Sequence, residues 1–72
     1  MKIYVVLHKM GDEESYDYCG AGRTLDDAEK ILAEVIRTWF DAPLEDAVVY
    51  YYDRYLVYLI EGGHFEIWEE EI

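Results

Sequence analysis

The 72-residue sequence predicts an α+β fold: an antiparallel sheet with one helix packed on one face, in the order ββαβββ. Three observations lead there. Segments rich in β-branched and aromatic residues flank a single stretch whose apolar residues recur with helical period. A glycine pair, Gly62-Gly63, separates two of those segments as a hairpin turn would. The length allows only one core, because a chain of this size buries roughly 60% of its unfolded surface, so residues 1–72 are read as one small domain.

Lys2 to Lys9, KIYVVLHK, reads as the first strand, ended by Gly11 and the polar loop GDEES. In SYDYCGA, Tyr16 and Tyr18 alternate with Asp17 and Cys19, the period of a half-buried strand that pairs back on the first. The period changes at Thr24. Leu25, Ala28, Ile31, Leu32, Val35, Ile36 and Trp39 fall on one helical face, and Asp26, Asp27, Glu29, Lys30, Glu34 and Arg37 on the other. Thr24 is the expected N-cap, the first-turn acids suit the helix dipole, and Asp41-Ala42-Pro43 ends the helix.

Val48 to Tyr52 is too β-branched and aromatic for a good helix and reads as a strand, with Asp53-Arg54 as its turn. The final two strands, YLVYLIE and HFEIWEE, are expected to turn at Gly62-Gly63. That pairing sets Glu61 against His64, Ile60 against Phe65 and Tyr58 against Ile67. One face then carries Leu56, Tyr58, Ile60, Phe65 and Ile67 toward the helix, and the other exposes Glu66, Trp68 and Glu70.

Composition narrows the function classes. With 53% hydrophobic and 17% aromatic residues this is a globular sequence and not an acidic tail. Seventeen Asp and Glu against six Lys and Arg give a net charge of -11, which repels nucleic acid and anionic membrane and attracts basic surfaces at long range. No apolar run reaches the roughly eighteen residues of a membrane span, MKIYVVLHK lacks a signal-peptide cleavage site, and Cys19 has no disulfide partner, so the expected location is cytoplasmic. There is no Asn or Gln, one Ser and two Thr. Side-chain chemistry therefore rests on carboxylates, phenols and a few cations.

Lys2-Ile3-Tyr4-Val5-Val6, Thr24-Leu25-Asp26-Asp27-Ala28-Glu29 and the closing Glu66-Ile67-Trp68-Glu69 resemble the small phage and prophage proteins that share a strand, strand, helix, strand plan and end in an acidic strand bearing a tryptophan. The resemblance spans about half the chain, and the stretch from Asp41 to Leu59 is longer than the pattern. It implies an inhibitor of host proteins, a class that includes anti-CRISPR proteins and DNA mimics.

The residues support a surface for such a role. Acids at i and i+2 of a strand stand roughly 6.6 Å apart, close to two base steps of roughly 3.4 Å along one DNA strand. Glu66, Glu69 and Glu70 are the candidate phosphate-like acids, joined by Asp12, Glu13 and Glu14 of the first hairpin and Asp26 and Asp27 of the helix, with Trp68 and Tyr51 as aromatic anchors. The expected partner is the basic surface of a host protein or nucleoprotein complex, such as a CRISPR effector, with no direct nucleic-acid or membrane binding. The alternative is a structural or regulatory homodimer joined through the Tyr50–Tyr52 strand, its charge serving solubility.

Catalysis is not expected. Cys19 with His8 opposite would lack an orienting amide, and nearby acids raise a thiol pKa. His8, His64 and Cys19 lack metal-ligand spacing. Gly20-Ala21-Gly22 lacks the Gly-Lys-Ser/Thr ending of a phosphate loop and is followed by repelling acids. No cofactor is expected.

Overall fold

A computed structural model of the protein describes residues 1–9 and 15–72. Asp12, Glu13 and Glu14 lie outside the described residues. The order is β1 (Lys2–Lys9), β2 (Tyr16–Gly22), α1 (Leu25–Phe40), a 3-10 turn (Leu44–Asp46), β3 (Val48–Tyr51), β4 (Tyr55–Ile60) and β5 (Gly63–Glu71), an α+β architecture of one helix and one antiparallel sheet. The sheet runs β2-β1-β5-β4-β3. The last strand therefore lies at the centre, paired with β1 on one side and β4 on the other.

α1 forms where the apolar period demands it. The Thr24 hydroxyl accepts the Asp27 N–H at 3.1 Å, and Asp41 ends the helix in the left-handed conformation before Pro43. Ala28, Leu32 and Ile36 are buried against Val6, Tyr58, Phe65 and Ile67. The close approach of β2 to the helix start needs a glycine: a Cβ on Gly22 would stand 2.7 Å from the Cβ of Asp27.

The second hairpin departs from the expected turn. Its two turn residues are Glu61 and Gly62, at φ 42° and 84°, and Gly63 is the first residue of β5, paired with Ile60. Gly63 has a packing role: a Cβ on it would meet the Phe40 ring at 2.6 Å, so this glycine lets the end of the helix sit against the strand. The shift moves the register by two residues, so that Tyr58 faces Phe65 and Leu56 faces Ile67, which leaves every side chain on its expected face.

Candidate functional site: the bare face of the sheet

α1 covers one face of the sheet. The other has no layer of structure over it among the described residues. Three cross-strand rows form the middle of that bare face. The central row is Tyr18, Leu7, Glu66, Val57 and Tyr50, one residue from each of the five strands. Beside it run Tyr16, Lys9, His64, Leu59 and Val48 on one side, and Val5, Trp68 and Tyr55 on the other.

Glu66 stands at the middle of this face and is only 4% exposed, which corrects the expectation that it projects into solvent. A carboxylate is costly to bury without donors. Here the Tyr16 hydroxyl donates to Oε2 at 3.1 Å, His64 Nε2 lies 2.6 Å from the same oxygen, and the Trp68 indole N–H donates to Oε1 at 2.7 Å. Period-two spacing builds the arrangement, since His64, Glu66 and Trp68 at i, i+2 and i+4 point the same way. Rings enclose the carboxylate. Tyr52 stacks on Tyr55 with centroids 4.7 Å apart, and Tyr55 stacks on Trp68 at 4.3 Å, with nearly parallel rings in both cases. Together with Tyr16, Tyr50, Val57, Leu59 and Lys9, these side chains line an open cleft of about 430 Å³ with Glu66 in its wall.

The other expected acids do not form a continuous ladder. Glu70 is exposed on the bare face, but Glu69 points to the helix side, where it accepts the Tyr4 hydroxyl at 3.4 Å and pairs with Lys2 at 3.4 Å. Asp26 and Asp27 are exposed in the first turn of α1, on the side of the sheet away from Glu70. Glu29 is drawn inward to accept the hydroxyl of buried Tyr58 at 3.1 Å. That phenol is held well above the ordinary tyrosine range, first by burial and then by the Glu29 charge.

All three rings of the Tyr50–Tyr52 run are exposed at the β3 edge of the sheet. Tyr51, 79% exposed, lies on the helix side, while Tyr50 belongs to the bare face and Tyr52 lines its cleft. Tyr16 and His64 were not among the expected contact residues, whereas Tyr50 and Tyr52 were expected at an interface as part of the Tyr50–Tyr52 strand. The signals for Tyr16 and His64 are the His-x-Glu-x-Trp spacing of the last strand and the Tyr-x-Tyr spacing of the second.

Cys19 is the extra residue of a β-bulge: Val6 pairs with Gly20 and Leu7 with Tyr18, so His8 faces Asp17 and not the thiol. Burial, and then the charge of Asp17, raise the thiol pKa. No group of three His, Cys, Asp or Glu among the described residues is placed to hold a metal ion. Among the described residues, no helix is long and apolar enough to cross a membrane. No protein-family model matches the chain, and no curated protein or solved structure matches it either.

Proposed function

We propose that the chain is a non-catalytic binding protein of the phage anti-defence type, an inhibitor that occupies a basic, nucleic-acid-binding or target-recognition surface of a host complex, and that it docks through the bare sheet face. The observation that carries this reading is the sheet face that no layer among the described residues covers, whose central row runs from exposed Tyr18 to exposed Tyr50 while neighbouring side chains bury Glu66 and Val57 at its middle. Rigid rings with polar tips give contact area at low entropic cost, which is what an interface core uses. The net charge of -11 draws the molecule to a basic partner, and the rings hold it after contact. The inhibitor class comes from the sequence resemblance. The acids act as a diffuse steering field and not as a phosphate ladder, because Glu66 and Glu69 are engaged internally.

The test is affinity capture by tagged wild type and by a Tyr18→Glu, Tyr50→Glu double variant from lysates of bacteria that carry CRISPR and other defence systems. A nucleic-acid-binding complex that wild type retains, that leaves as salt rises and that the variant fails to hold supports the reading. Equal capture by the variant sinks it.

A second reading is favoured by the apolar residues Val5, Leu7, Val57 and Leu59 on the same face: two copies joined sheet to sheet. Sedimentation equilibrium separates the two. A mass near twice 8.6 kDa that persists at high salt and falls to the monomer in the double variant establishes the homodimer. Repulsion between two copies of net charge -11 opposes this outcome at low salt.

A further inference from the structure

We propose that the cleft beside Glu66 receives one guanidinium group, an arginine side chain on the partner's basic surface; this rests on the docking role of the bare face and names the chemistry at its centre. The acceptor count is the first argument. An ionised carboxylate offers about two acceptor positions per oxygen. Among the described residues, Oε2 of Glu66 is engaged by Tyr16 and His64 and Oε1 by Trp68 alone, which leaves one acceptor position on a carboxylate that three neighbours hold in place. A preset acceptor costs an incoming donor little reorganisation.

The rings are the second argument. A guanidinium is planar and weakly hydrated, stacks on aromatic faces and bonds carboxylates, whereas an ammonium holds its water more tightly. The wall of the cleft is the Tyr52-Tyr55-Trp68 stack, whose outermost ring, Tyr52, is exposed, and Tyr50 lines the same cleft. An anionic ligand is excluded by Glu66 and by the net charge. Lys9, the cross-strand partner of His64, is the one Lys or Arg among the described residues that line the cleft, and it makes no ion pair with Glu66. Lys9 opposes a second cation, so removing its charge strengthens binding; simple apolar docking has no such dependence.

The experiment is an NMR titration of the full chain with N-acetyl-arginine methylamide, with the neutral citrulline analogue at matched ionic strength as control. The indole N–H of Trp68 reports the cleft. Trp39, at the helix C-terminus on the opposite side of the sheet, is the internal reference. The expected result is a saturable Trp68 shift with Trp39 unmoved and affinity about tenfold weaker for citrulline, the loss of one charge-assisted contact. Tyr52→Ala should weaken binding about threefold or more, and Lys9→Met should tighten it. Glu66→Gln should abolish the preference for arginine; should that variant fail to fold, the citrulline and Lys9→Met comparisons carry the same decision. Equal response to citrulline, an unmoved Trp68, or a Trp39 shift as large as that of Trp68 overturns the inference. An unmoved Trp68 together with partner capture that depends on Tyr18 and Tyr50 overturns the guanidinium site and leaves the proposed function standing. A specific arginine shift with equal capture by the double variant supports the site and sinks the docking role.

Discussion

Glu66 and Glu70 are two glutamates on one face of one strand, four residues apart, and alternation alone treats them alike. Their surroundings separate them. Glu66 accepts from a phenol and an indole and contacts an imidazole while almost fully enclosed, whereas Glu70 is exposed beyond the aromatic cluster. Removing the buried acceptor strands its donors, and a hydrogen bond to a charged group contributes about 1.5–3 kcal/mol. Glu66→Ala should therefore destabilise the fold by about 2 kcal/mol in urea unfolding, while Glu70→Ala should leave the midpoint nearly unchanged. Equal effects of the two substitutions would show that the hydrogen bonds to Glu66 do not support the fold.

At the scale of elements, the hairpin between β4 and β5 shows how a correct turn signal is placed one residue out. Sequence favours the pair 62–63, because both glycines take positive φ without cost, yet the structure turns at 61–62 with Glu61 in the left-handed region. Gly63 stands instead in β5, where the Phe40 ring occupies the space of a side chain. Gly63→Ala is expected to cost about 1–3 kcal/mol from overpacking against that ring. Gly62→Ala has open space around it and bears only the left-handed backbone penalty of about 1–2 kcal/mol. Glu61, at φ 42°, should accept Asn or Gly with a gain in stability. Thermal melts of the three variants check the order; no gain from Glu61→Gly together with a Gly63→Ala cost no larger than that of Gly62→Ala would place the turn where the sequence alone suggested.

At the scale of the molecule, the dominant quantity is net charge on a small body. The principal extents are 33, 24 and 20 Å, while the Debye length is about 30 Å at 0.01 M salt and about 8 Å at 0.15 M. In dilute buffer the acids therefore repel across the whole particle, and only Lys2 pairs with a side-chain carboxylate among the described Lys and Arg residues. Added sodium chloride should raise the melting temperature steadily up to about 0.15 M and weaken partner capture over the same range. A melting temperature independent of salt would mean that the charges are compensated locally. The bare sheet face is the other property of this scale. One helix can cover one side of a five-stranded sheet, and this chain contains no second helix among the described residues to cover the other.

The sequence by itself determined the elements, their order and the face on which each side chain stands, because helical and strand periods are local and Thr24, Pro43 and the glycine pair punctuate them. It also determined the net charge. Only the tertiary structure decided that β5 inserts between β1 and β4, a pairing between the two ends of the described chain that no local pattern encodes. That insertion placed the acidic, tryptophan-bearing strand at the centre of the sheet and brought Tyr16, 50 residues away, onto Glu66. An acid expected to face solvent thus became the enclosed centre of an aromatic surface, because burial depends on which strands lie alongside and not on the residues next in sequence.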